Sequence, residues 1–103
     1  MMRGMPNMQG MMKQMQKLQK EMANAQEYVN NLEFVGTSPN DLVQVKMNGK
    51  RDVLDVVLHP DVVDPEDVDM LQDLLVEAFN DASKKATEKN NEVMGKYTKN
   101  LPF

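Results

Sequence analysis

Met8, Met11, Met15, Leu18, Met22, Ala25, Val29 and Leu32 recur at unbroken alternating spacings of three and four. A repeat averaging 3.5 residues keeps apolar side chains on one side of a helix and suits it to coil against another helix. At 1.5 Å per residue, residues 8–32 make a rod of ~37 Å, against ~26 Å for twice the radius of gyration of ~100 compact residues. Such a helix must overhang its own domain or lie along a second subunit, and its seam is expected to be buried in the core or a dimer contact.

After Leu32 the period changes. Residues 33–37 read as a short strand and Ser38-Pro39-Asn40-Asp41 as a turn, because these residues bond their own backbone or fix φ. In residues 42–47, Val43, Val45 and Met47 alternate with Gln44 and Lys46. Asn48-Gly49 then offers the positive φ values of a two-residue type I′ turn, so 42–47 and 51–58 are expected to form an antiparallel hairpin. The second arm, RDVLDVVL, is apolar on nearly both faces, as a central strand would be. His59-Pro60 ends the sheet. Asp64 is placed as the cap of a second helix with Pro65 at its first position, and Glu66 and Asp67 suit its positive end. Its stripe Val68, Leu71, Leu75, Ala78 or Phe79, Ala82 and Ala86 has helical spacing and should face the core, and the helix can extend to Lys96. The layout is α+β, in the order α-β-β-β-α, with a three-stranded antiparallel sheet and two long helices. Residues 1–103 read as a single domain, with 1–7 and 97–103 as loose ends and Asn7 as the first helix cap. A chain of this length builds a modest core, and homodimerisation would bury more surface.

The formal charge of −4 hides a segregation. Residues 1–20 carry Arg3, Lys13, Lys17 and Lys20 and no acid. Residues 59–83 hold Asp61, Asp64, Glu66, Asp67, Asp69, Asp73, Glu77 and Asp81 with no Lys or Arg, and from Lys84 onward basic residues again outnumber acids. Lys13, Lys17 and Lys20 fall opposite the apolar seam, and Lys84, Lys85 and Lys89 cluster on the second helix. These lysines read either as the solvated faces of amphipathic helices or as two basic rods for a phosphate backbone. No aromatic interleaves these lysines, which disfavours base stacking, and no helix-turn-helix or zinc-finger pattern supports base-specific readout.

The chain has no Cys and a single His, which excludes disulfides, thiolate metal sites and His-rich clusters. His59 reads as a turn residue, since nothing joins it as a catalytic base or ligand. The acids at 61–73 do not follow the EF-hand spacing and read as helix-start residues. Phosphate-loop, dinucleotide, nucleophile-elbow and zinc-protease motifs are all missing, so neither an enzyme, a cofactor, a metal nor a small-molecule substrate is expected. The start has no continuous apolar run of the kind a signal peptide needs, and no stretch approaches the ~20 apolar residues of a membrane span. A soluble cytoplasmic protein is expected.

MMKQMQKLQKEM (11–22), VKMNGKRDVLDVVLHPDVVDPEDVDMLQDLLVEAFNDASKKATE (45–88) and the closing LPF resemble the YbaB/EbfC family of bacterial nucleoid-associated proteins. The most specific parts are Asn48-Gly49 and the run from Asp73 to Ala82. The resemblance implies a homodimer with projecting helices, binding to double-stranded DNA, a place in the nucleoid, and a role in nucleoid organisation or gene regulation. It also implies that the DNA contacts lie on the projecting helices, here Lys13, Lys17 and Lys20 with Lys84, Lys85 and Lys89. The alternative is a dimeric protein-interaction module that uses its Met-rich helices and binds no nucleic acid.

Overall fold

The computed structural model describes residues 6–99, with side chains from 8 to 97. It has the expected α-β-β-β-α order: α1 (Pro6–Asn31), β1 (Glu33–Thr37), β2 (Val43–Asn48), β3 (Val53–Leu58) and α2 (Val68–Lys99). Short 3₁₀ turns at Pro39–Asp41 and Pro60–Val62 precede β2 and α2. The strands form one antiparallel sheet in the order β1-β2-β3.

Alternation in β2 decides which face of the sheet is covered. Val43, Val45 and Met47 are buried and form a core with Val62, Ala78 and Ala82, against which Leu71, Leu74, Leu75 and Phe79 are half-buried. Gln44, Lys46 and Asn48 point the other way, away from α2. Small residues let the sheet come close to α2. A Cβ on Gly36 would stand 2.2 Å from the Ala78 carbonyl oxygen and the Ala82 nitrogen. Strand and helix backbones therefore meet with only hydrogen and methyl groups between them.

The turn before β2 behaves as its residues suggest. Asn40 and Asp41 take left-handed φ values of 59° and 56°, which their short polar side chains tolerate. The buried Ser38 hydroxyl accepts the Val43 N–H at 2.9 Å.

Several expectations need correction. The β2–β3 connection is not a two-residue type I′ turn. Arg51 N–H donates to the Asn48 carbonyl at 3.0 Å, Asn48 N–H donates to the Asp52 carbonyl at 3.0 Å, and the left-handed residue is Arg51, at φ 76°. Gly49 has no positive φ. It is required for space: a Cβ there would lie 2.0 Å from the Val29 carbonyl oxygen at the end of α1. The strand expected to be central, β3, is an edge strand exposed along its whole length, and β2 is the central one. Leu54 is an extra residue on β3, since Lys46 pairs with Asp55 while Met47 pairs with Val53.

At the helix starts, α1 begins at Pro6, so Asn7 lies inside it and does not cap it. The α2 cap is Asp67, whose carboxylate accepts the Met70 N–H at 3.2 Å. Asp64 instead closes the preceding turn by accepting the Glu66 N–H at 2.9 Å, and Pro65 sits in that turn. Val68 is half exposed and leaves the core stripe. Of the expected loose ends, residues 6, 7 and 97–99 are helical, and the others lie outside the described residues.

The two helices run antiparallel. The Gln26 amide donates to Asn90 at 3.3 Å, and as the chain continues through β1 its contacts move back along α2, from Lys85 against Val35 to Asp81 against Thr37. From the Gln26–Asn90 level, α2 has nine residues left to Lys99, whereas α1 has twenty back to Pro6. The end of α2 therefore comes level with about Lys17, and among the described residues the turns of α1 before it project alone. The protomer measures 81 × 21 × 16 Å with a radius of gyration of 21.4 Å, against ~13 Å for a compact chain of this size.

Candidate nucleic-acid interface

The apolar seam divides where α2 stops. Val29 is fully buried, and Leu18, Met22, Ala25 and Leu32 are half-buried. Met8, Met11 and Met15 are 55–60% exposed. The seam is thus intramolecular packing over its second half and bare over its first.

Lys13, Lys17 and Lys20 sit on the α1 side away from that seam and are exposed. None makes an ion pair among the described residues. At i, i+4 and i+7 they span roughly 10 Å of one helix face. The projecting segment needs no polar cover, because a helix satisfies its own backbone groups.

The second lysine set is not brought together in the same way. The Lys85 ammonium donates to the Val35 carbonyl at 2.8 Å and stands 3.1 Å from the Asp81 carboxylate. Lys89 lies 3.5 Å from Glu92. Lys84 is exposed and has no ion pair among the described residues. Consecutive helical residues diverge by roughly 100°, so Lys84 and Lys85 face different directions. Among the described residues this set presents one cation free of an ion pair, not three.

Lys85 belongs instead to a structural junction. Asp81 accepts the Thr37 N–H at 2.9 Å and faces Lys85, and the Thr37 bond first, then Lys85, lowers its pKa below the ordinary carboxylate value. Arg51 makes a second junction. Its guanidinium donates to the Ser83 carbonyl at 2.8 Å and to the Ser83 and Thr87 hydroxyls. These partners are neutral, and Lys50 is its neighbour at the hairpin tip. These contacts cross more than 30 residues of chain, and no local sequence signal marks them.

His59 is a turn residue as expected. Its Nδ1 accepts the Asp61 N–H at 3.1 Å. The Asp61 carboxylate stands 3.6 Å from the same nitrogen, but an accepting Nδ1 has no proton to share, so the two are not paired when the imidazole is neutral. Among the described residues no group of three His, Cys, Asp or Glu is placed to hold a metal ion, and no helix is long and apolar enough to cross a membrane.

The acidic segment is distant from the projecting lysines. Counted along the antiparallel helices, Asp73 lies roughly 40 Å from Lys17 and Asp69 roughly 50 Å from Lys13. With a screening length of about 8 Å at physiological salt, that is several Debye lengths. An anion at the α1 tip meets the local positive charge, not the negative total.

The sequence model of the YbaB/EbfC DNA-binding family matches residues 4–101. A "Nucleoid-associated protein" of Enterococcus faecalis is 57% identical over 102 residues, covering 99% of this chain and 98% of that protein. One from Listeria monocytogenes is 55% identical, with 97% and 95% covered, and one from Lactococcus lactis is 48% identical, with 96% and 100% covered. Among solved structures, an uncharacterised Helicobacter pylori protein, HP0035, has the same fold. Its TM-score is 0.72 at 20% identity, over 85% of this chain and 92% of that one.

Proposed function

The chain belongs to the YbaB/EbfC DNA-binding family, and we propose that it acts in the bacterial nucleoid as a homodimer that grips double-stranded DNA through its projecting α1 helices. Nucleoid organisation or gene regulation is the role. The observation that carries this reading is the projecting start of α1: Lys13 and Lys17 stand on its exposed face clear of Asp69 and Asp73, Lys20 continues that face alongside α2, and none of the three makes an ion pair among the described residues. Contacts of this kind reach phosphates and position a protein without reading bases.

The exposed edge supports the dimer. Val53, Leu54, Val56, Val57 and Leu58 are 37–52% exposed along a strand with no partner on one side. A long apolar edge is a template for pairing with another chain. The outer sheet face beside it holds a shallow depression of about 170 Å³ lined by Val35, Gln44, Lys46, Asp55 and Val57. The protomer exposes 7765 Å², whereas a compact chain of its mass exposes ~5,900 Å². A second copy seated on β3 would cover part of the excess and leave α1 free.

Two measurements test the reading. Light scattering at micromolar concentration should give about twice the 11.7 kDa protomer mass, and Val57→Lys should lower it by placing a gatekeeper charge on the edge. A mobility shift with duplexes of unrelated sequence should show binding that weakens steeply with salt. A monomer defeats the dimer, and no duplex binding at low salt defeats the DNA reading and leaves a protein-interaction module.

A further inference from the structure

The projecting part of α1 has a second face that neither the core nor the lysines explain. Met8, Met11, Met12 and Met15 are 55%, 60%, 59% and 59% exposed. Apolar packing accounts for the seam from Leu18 to Leu32, but these four lie beyond the end of α2, and Met12 is not a seam position.

Their spacing is i, i+3, i+4 and i+7, which places all four within an arc of roughly 100°. Neighbours at these separations have Cβ atoms ~5–6 Å apart. Met11 and Met12 each neighbour both Met8 and Met15 at separations of three or four, and the roughly 100° between Met11 and Met12 themselves is closed by the length of their side chains. Each side chain has three rotatable bonds and ends in a polarisable sulfur. Three thioethers can thus draw to the roughly 4 Å sulfur separations of a three-coordinate ion with ~2.3 Å bonds.

The donor set selects the ion. Residues 1–20 contain no Asp, Glu, His or Cys. A hard cation finds no carboxylate there, and zinc finds neither imidazole nor thiolate. Thioethers alone favour a soft ion such as Cu(I). Lys13 and Lys17 point to the other side of the helix, so they neither block nor compete for the site.

We infer that Met8, Met11, Met12 and Met15 form a thioether site for a soft monovalent metal ion, Cu(I) by its chemistry, bound by three sulfurs at a time. Binding is reversible coordination in which no covalent bond breaks and no electron moves. It does not depend on DNA binding.

Silver nitrate is the probe, because Ag(I) is soft, monovalent and redox-inert. The full chain, labelled with ¹³C at the methionine ε-methyls, is titrated in chloride-free buffer and followed by NMR. The Met8, Met11, Met12 and Met15 signals should move together and saturate at one ion per protomer, while the buried Met47 stays in place. Leucine keeps volume and helix propensity, so Met11→Leu with Met12→Leu should leave the circular dichroism spectrum unchanged. The same double variant should weaken binding by roughly tenfold or more, since even outer-shell changes at metal sites cost that much. The inference is overturned if no methyl moves, if Met47 moves equally, or if the double variant binds silver as wild type does. It is also overturned if a dimer contact covers the four methionines and excludes the ion.

Discussion

Replacing Lys13, Lys17 and Lys20 together by Gln tests the interface most directly, because the structure separates these three from the lysines of α2. Each phosphate neutralised contributes about 0.9 to the slope of log K against log salt. If all three lysines meet phosphates, a dimer gains a slope of ~5 from them, or about three orders of magnitude in affinity between 50 and 200 mM salt. The triple variant should lose most of that dependence, and alike for every duplex sequence. Its fold should hold, since the three side chains are exposed and face away from the seam. Lys84, Lys85 and Lys89 replaced together should change the slope less, by ~2 in a dimer, because only Lys84 is free of an ion pair. Fluorescence anisotropy with a labelled duplex across a salt series reads both slopes, and circular dichroism checks the fold. Equal flattening by both triples would refute the reasoning, as would an unchanged slope in the α1 triple. Loss at one sequence alone would indicate base readout in place of backbone contact.

Three further outcomes follow from the packing. Gly36→Ala puts a methyl 2.2 Å from backbone atoms of Ala78 and Ala82, so β1 must lift from α2 at a cost of about 1–3 kcal/mol, read by urea denaturation; an unchanged midpoint would mean that the two are not in contact. Asp81 has a lowered pKa in the folded chain, so its contribution is present above its ordinary value of 3.8 and is lost as pH falls through the lower folded value. Asp81→Asn should therefore destabilise at pH 7, and the gap to wild type should narrow in acid below that range; a gap that widens there would reverse the assignment. The divided seam predicts a gradient under thermal melting, with Val29→Lys costing several kcal/mol by burying a charge and Met11→Lys costing little; equal losses would mean that the first half of the seam is covered.

The elements were legible where a local pattern decides them, and the partners of those elements were not. The 3-4 repeat located α1, and the alternation of Val43, Val45 and Met47 located β2 together with its buried face. Asn48-Gly49 marked the hairpin, but for a different reason than its usual one: Gly49 clears the end of α1, which is a tertiary demand, and Arg51 takes the left-handed position. The apolar run Val53–Leu58 reads as central because burial on both faces and an unfilled edge produce the same composition. Lys84, Lys85 and Lys89 looked like one group because sequence neighbours suggest it, yet Val35 and Asp81 engage Lys85, and strand contacts some 50 residues away cannot be read from spacing.

Two features that lack a partner among the described residues make different demands on a second molecule, and this difference underlies the proposed arrangement of the pair. Along β3 the outward N–H and C=O groups meet no strand among the described residues, and the apolar side chains on both faces are exposed, so this edge can be satisfied by another strand. Past its first turn the projecting half of α1 has its backbone bonds closed within the helix and asks for nothing comparable. A second copy on the edge leaves two such helices standing out from the pair, each with lysines on one side and methionines on the other. Within each protomer Asp69 and Asp73 stay several screening lengths from Lys13 and Lys17. In that proposed arrangement net charge governs the solubility of the body, while the tips present a locally basic surface.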